Sequence, residues 1–236
     1  LHKLGSEQWD KARKKAAEKV RDVAAELLEI YAKREAQQGK KFIINEEEFA
    51  QFSSTFPFQE TPDQLQAILA TNDDLSQRKP MDRVVCGDVG FSKTEVAMRA
   101  AFKAVVDGGK QVAILVPTTV LAMQHFDTFV ERMWNYPVRI GVLSRFNSQK
   151  EIKATLKGVQ EGSVDILIGT HRIISGDIAF KDLGLVVVDE EHRFGVKAKE
   201  YLKSIKKTVD YLVLSATPIP RTLYMSLLGA RDMSVI

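Results

Sequence analysis

Cysteine is almost absent from the 236-residue sequence: the single Cys86 excludes an internal disulfide framework and any cysteine-based zinc cluster. It stands at the end of an apolar strand, where a small buried side chain is the simplest reading. No apolar run approaches the ~20 residues of a membrane-spanning helix, and no signal-peptide pattern precedes the first helical stretch, so no membrane partner is expected and the default compartment is cytoplasmic. Internal repeats and low-complexity segments are also missing. So is a strong excess of one charge. The formal net charge is +3, with 11 Lys/Arg against 7 Asp/Glu in residues 1–41 and 23 against 24 in the remainder. Bulk charge beyond residue 41 gives no footprint of a nucleic-acid binder, so such a claim has to rest on motifs. What the sequence does have is 44% hydrophobic content, enough for one large or two small domains.

Trp9, Ala12, Ala16, Val20, Ala24, Leu27 and Tyr31 recur at three- and four-residue steps between charged residues. They predict one helix over 6–38, with Ser6 as N-cap and Gly39 as stop. Such a helix either packs along the flank of a domain with a solvated charged face or forms a rod to a neighbouring domain. A sequence that begins at leucine, without an initiator methionine, agrees with excision from something longer. The expected division is therefore a linker helix over 1–41, short helices over 42–80 and a main domain over 81–236.

A short acidic helix is expected near 46–52, and Thr61 followed by Pro62 starts a helix running to about 75. After a polar link, strand and helix alternate: strand 83–86, helix 93–107, strand 111–116, helix 119–133, strand 138–143, helix 148–160, strand 164–169, strand 184–188, helix 196–206, strand 210–215, helix 220–229 and strand 232–236. Runs such as Val112-Ala113-Ile114-Leu115-Val116 and Leu185-Val186-Val187-Val188 are apolar on both faces. The fold class is α/β, with a mainly parallel sheet flanked by helices and a long helix before it.

Three segments carry chemistry. Strand 83–86 runs into Gly87-Asp88-Val89-Gly90-Phe91-Ser92-Lys93-Thr94 and then into an apolar-periodic helix, which is the context of a phosphate-binding loop. Loop N–H groups and the helix N-terminus face an anion, the Lys93 ammonium meets the outer phosphates, and the Thr94 hydroxyl can hold Mg²⁺. The pattern G-x-x-x-x-G-K-[ST] is broken at one place, where Ser92 replaces the second glycine. The second segment, Val186 to His192, delivers Asp189 and Glu190 to a strand end, Asp189 for the Mg²⁺ shell and Glu190 for the attacking water. The third, Ser215-Ala216-Thr217-Pro218, puts small hydroxyls at another strand end; taken singly these are more often caps and turn formers.

In this order the motifs resemble the first RecA-like lobe of superfamily 2 helicases and translocases, over residues 56–236. The resemblance implies ATP with Mg²⁺ at the phosphate loop and adenine recognition by Phe58, Thr61 and Gln64. It implies contacts to a double-stranded DNA backbone from Thr118 and Thr119 and from Gly169, Thr170, His171 and Arg172. It also implies coupling of the two through His192, Ser215 and Thr217. Within the superfamily, Gly-Asp-Val-Gly-Phe at 87–91, Val-Pro-Thr-Thr-Val-Leu-Ala at 116–122, Asp-Glu-Glu-His-Arg-Phe-Gly-Val at 189–196 and Ala-Thr-Pro-Ile-Pro-Arg-Thr-Leu at 216–223 resemble the bacterial transcription-repair coupling factors. That family implies a second RecA-like lobe supplying arginine fingers, RNA polymerase bound through an upstream module, and a role for helix 6–38 as the link. Two alternatives stand beside it: a RecG-like branched-DNA motor, which more usually has glutamine where Glu191 stands, and a non-hydrolysing scaffold lobe, favoured by Ser92 alone.

Overall fold

Among the described residues, seven strands form one parallel sheet in the order β3-β4-β2-β5-β6-β1-β7. The computed structural model describes residues 14, 21, 32, 42, 45–175, 178–206, 208–216 and 231–236. The strands are β1 Asp82–Cys86, β2 Gln111–Leu115, β3 Ile140–Leu143, β4 Ile166–Gly169, β5 Leu183–Asp189, β6 Asp210–Ser215 and β7 Asp232–Val235. The helices are α1 Glu46–Ser54, α2 Pro62–Leu75, α3 Lys93–Phe102, α4 Thr119–Arg132, α5 Gln149–Glu161 and α6 Val196–Ile205.

Successive side chains of a strand point to opposite faces, and the core divides accordingly. Val85, Val112, Ile114, Val187, Leu212 and Leu214 join α1 to α4 in one hydrophobic cluster. Val84, Cys86, Ala113, Leu115, Val186, Val188 and Val213 pack with α5 and α6 in the other. This explains strands without polar alternation: each buries both faces. Cys86 is a buried free thiol, and burial pushes its pKa up.

Local chemistry fixes the helix starts. Thr61 and Gln64 form a capping box with Pro62 in the first turn, as do Ser148 and Glu151 at α5. Thr118 caps α4 through its side chain, which accepts from the Leu121 N–H. The predicted helix 93–107 is α-helical only to Phe102; Lys103–Asp107 form a π turn closed by Gly108 N–H to Lys103 C=O. The wider turn accompanies a buried lysine: Lys103 Nζ donates to the Asn72 carbonyl and the Ser76 hydroxyl, both 2.6 Å away, at the end of α2. α1 is held by stacking of Phe52 on Phe102, centroids 4.1 Å apart.

The predicted helix 6–38 lies outside the described residues except at Lys14, Arg21 and Ala32, which are helical. Thr217 and the predicted helix 220–229 also lie outside them.

Candidate functional site

In a parallel sheet all strands end on the same side, where open α/β folds gather their ligands. Here the strand order sorts the ends into two groups. β5, β6 and β1 are neighbours and carry the acids, Ser215 and the phosphate loop; β3, β4 and β2 are neighbours and carry the expected backbone-contact loops.

The phosphate loop leaves β1 at Gly87, whose N–H donates to the Ser215 carbonyl at 3.1 Å. A Cβ at position 87 would stand 2.5 Å from Ile236 Cγ1 and 2.8 Å from its carbonyl oxygen, so the close approach of the β7 end requires glycine. Gly90 has φ +92°. Ser92 sits at φ +50°, ψ +36°, left-handed, at the N-cap of α3 and without a side-chain cap bond. The position therefore demands the conformation that the missing glycine would adopt freely. Lys93 Nζ turns back onto the carbonyls of Gly87 (2.6 Å) and Asp88 (2.8 Å).

Gly90, Ser92, Lys93 and Thr94 line one side of a cleft of about 820 Å³, with the exposed Val89 at its edge. Asp189, Glu190 and His192 line the other side. Glu190 also has positive φ, +55°, which turns the chain sharply at the end of β5. Its Oε1 accepts the Ala216 N–H at 2.7 Å, and Oε2 lies 3.1 Å from His192 Nδ1. The links from β6 thus run through backbone groups: Ser215 to the phosphate loop, Ala216 to Glu190. Asp189 faces His125 Nε2 at 3.8 Å, beyond hydrogen-bond range.

Phe58 stands at the rim of the same cleft, 70% exposed, edge-on to Phe56. Thr61 and Gln64 do not line it. The Gln64 amide oxygen accepts the Thr61 N–H, and its NH₂ donates to the Phe91 carbonyl at 2.9 Å, tying the segment to the phosphate loop. Behind Phe56, the guanidiniums of Arg99 and Arg132 share Glu95, at 2.8 and 2.7 Å, and Arg99 also holds Glu60. The hydrogen bond from Arg99 holds the Glu60 carboxyl below its ordinary value.

Glu191 turns away from the cleft into a buried charge cluster. Arg231 NH1 lies 3.1 Å and Lys206 3.6 Å from its carboxylate, and both cations also reach Asp82. Burial pushes the Glu191 pKa up, but Lys206 and Arg231 more than offset this and hold it at about 2. Burial drives Lys206 down and the Tyr211 phenol well up.

Thr118, Thr119, Thr170 and His171 line a second, smaller cleft of about 280 Å³, together with Pro117, Val120 and Arg145. Pro117 borders both clefts. Gly169 and Arg172 do not line the smaller one; Gly169 ends β4, and Arg172 donates to the Ser175 hydroxyl. His125, Arg132 and Arg145 escaped the sequence reading. Arg145 could have been found as a cation just past a strand end. His125 and Arg132 sit inside a helix, and no sequence signal separates them from surface polar residues.

The model of the DEAD/DEAH box helicase family matches residues 61–226. Over all 236 residues the chain is 61% identical to the transcription-repair-coupling factor of Haemophilus influenzae, 60% to that of Escherichia coli and 56% to that of Bacillus subtilis. It spans 20% of each, about a fifth of these relatives' length. Among solved structures, RecG bound to a three-way DNA junction is similar with a TM-score of 0.73 at 33% identity, covering 89% of this chain and 29% of that one. The UvsW helicase of bacteriophage T4, at 14% identity and TM-score 0.59 over 85% of this chain and 69% of that one, shares the fold. Among the described residues no helix is long and apolar enough to cross a membrane.

Proposed function

The chain belongs to the DEAD/DEAH box helicase family, and from that premise we propose that it is the ATP-binding first motor lobe of a cytoplasmic double-stranded DNA translocase. In the intact protein, ATP hydrolysis drives movement along DNA and displaces stalled RNA polymerase during transcription-coupled repair. The names of the relatives at 61%, 60% and 56% identity support that finer role. The observation that carries the reading is the meeting of Lys93 and Thr94 with Asp189 and Glu190 across one cleft, beside a second cleft lined by threonines and His171.

The residues present suit Mg²⁺ and ATP. Thr94 and Asp189 offer two side-chain oxygens, which fits a cation that keeps several waters and takes phosphate oxygens for the rest. When bound, Mg²⁺–ATP supplies the phosphoryl group and neutralises its developing charge. Lys93, now resting on two carbonyls, exchanges them for the outer phosphates. Glu190, fixed by the Ala216 N–H, orients a water and takes its proton; His192 beside it ties this event to the DNA-facing loops. Thr118, Thr119, Thr170 and His171 position a DNA strand through its backbone without reading sequence.

The reading requires a second RecA-like lobe with arginine fingers, and an RNA-polymerase-binding module, outside residues 1–236; helix 6–38 is the proposed link to that module. A missing finger costs about 10³ to 10⁵ in rate, so the 236-residue chain alone is expected to hydrolyse ATP very slowly. Titration with a fluorescent ATP analogue, with and without Mg²⁺, tests the site. No binding at millimolar nucleotide in a folded sample would establish a scaffold lobe instead. A RecG-like branched-DNA motor is the second reading, supported by the likeness to RecG. Marked preference for a three-way junction over linear duplex, in the intact protein, decides for it.

A further inference from the structure

The segment 55–60, which brings Phe56 and Phe58 to the larger cleft, is gripped at both ends by arginines to which the assignments above give no role. At its start, Arg132 of α4 donates through NH1 to the Thr55 hydroxyl and, at 3.4 Å, to the Phe52 carbonyl. At its end, Arg99 of α3 donates through NH2 to the Glu60 carboxylate. The two cations meet on one atom. Arg99 Nε lies 2.8 Å and Arg132 NH2 2.7 Å from Glu95 Oε1. Between the two grips, each guanidinium stands 5.8 Å from the centroid of the Phe56 ring, and Phe56 meets Phe58 edge-on at 5.6 Å.

Glu95 stands two residues past Lys93, in the first turn of α3. Its carboxylate therefore ties the aromatic segment to the same turn of helix that presents Lys93 and Thr94. The side chains of Glu95, Arg99 and Arg132 are all more than nine-tenths buried. Taking such charges out of water adds little net stability, so the value of the cluster lies in the geometry it fixes. A guanidinium is a planar fork with donors in set directions, and two of them on one carboxylate determine where the segment lies. Thr55, Phe56, Pro57, Phe58, Glu95 and Arg132 all line the larger cleft. The clamp thus sets the span from the aromatic wall to the phosphate loop.

We propose that Arg99 and Arg132, joined through Glu95, are positioning residues for the nucleotide base: they hold segment 55–60 so that its aromatic wall meets adenine at the reach fixed by a triphosphate on Lys93 and Thr94. This role rests on the ATP-binding reading. A wall already ordered avoids the ordering cost that a loose segment incurs on binding. A purine, with the larger ring to lay against Phe58, gains more from that wall than a pyrimidine does.

Releasing either end tests the clamp. Glu60→Ala and Thr55→Val each free one end of the segment and leave both arginines paired with Glu95. Arg132→Met keeps an apolar stem against the Phe52 ring, removes the grip on Thr55 and leaves Glu95 paired with Arg99; should it fail to fold by circular dichroism, the two end variants decide. Displacement of a fluorescent ATP analogue from the 236-residue chain by ATP and by CTP, both with Mg²⁺, gives the two affinities. The unsubstituted chain should bind ATP several-fold more tightly than CTP. Each release should weaken ATP several-fold and leave CTP nearly unchanged, so that the preference shrinks. Equal losses for ATP and CTP, or an unchanged preference in either Glu60→Ala or Thr55→Val, overturn the proposal while leaving the motor reading intact. An unsubstituted chain that binds ATP and CTP alike does the same. Failure of the unsubstituted chain to bind the analogue at all overturns the reading and the proposal together.

Discussion

Ser92 and Glu190 face one cleft, and among the described residues they are the only non-glycine residues with positive φ, at +50° and +55°. Strained backbone of this kind persists where surrounding structure over-determines it, and it gathers at functional sites. At Glu190 the geometry is supported by three contacts: its N–H to Leu214, its carboxylate to Ala216, and His192. Ser92 has no side-chain cap bond to offset its strain.

Replacing Ser92 by glycine removes a cost of about 1 to 2 kcal/mol for holding an L-residue in the left-handed region. To the extent that nucleotide binding demands this conformation, Ser92→Gly should tighten binding of a fluorescent ATP analogue by up to roughly thirtyfold. Equal affinities for the two proteins would mean that the loop bears the strain with or without nucleotide.

Glu190→Gln should preserve ATP binding and abolish turnover in the two-lobe protein, because the amide keeps the Ala216 contact but cannot take a proton. Lys93→Ala should lose both. Steady-state hydrolysis combined with nucleotide titration distinguishes them, and wild-type turnover in either variant contradicts the assigned roles.

Glu191 makes acid stability a probe of the buried cluster. Its folded-state pKa, about 2, lies below its ordinary value of 4.5, so its stabilising contribution is present above pH 4.5 and lost as pH falls towards 2. Glu191→Ala leaves Arg231 and Lys206 short of a partner and should cost roughly 3 kcal/mol at pH 7. Urea unfolding at pH 7 and pH 3 should show the gap to wild type shrinking at the lower pH. A constant gap would point to lost packing alone.

At Lys103 the buried charge is a cost, not a gain, though stability again rises with pH. Burial lowers its pKa from 10.5 to about 8, so below pH 8 the folded state bears the cost of a buried ammonium, relieved as pH rises from 8 to 10.5. Lys103→Met removes that dependence. Its stability relative to wild type should therefore fall steadily between pH 7.5 and 10 in thermal unfolding; a flat difference would contradict the buried-charge account.

Much of this molecule is legible in its sequence because β2, β5 and β6 bury both faces and the glycine loop follows its strand directly. Thr61-Pro62 and Ser148 with Glu151 announce their helices by chemistry within four residues. The phosphate loop and Asp189-Glu190 were readable because each is a contiguous motif at a strand end. His125, Arg132 and the Glu191 cluster were not, because each gains its meaning from partners distant in the chain: His125 from Asp189, Arg132 from Glu95, Glu191 from Arg231. The π turn was hidden for the same reason, since Lys103 answers to the end of α2.

The sheet order has a consequence for the order of assembly. Among the described residues β1, which carries the phosphate loop, pairs only with β6 and β7, so Cys86 is matched with Ser215 and Val235 near the far end of this sequence. By contrast β2, β3 and β4 pair within a short stretch and can associate early. A ribosome-bound chain thus carries its phosphate loop for well over a hundred residues of synthesis before either flanking strand exists. Nucleotide can select the finished lobe but cannot help build it.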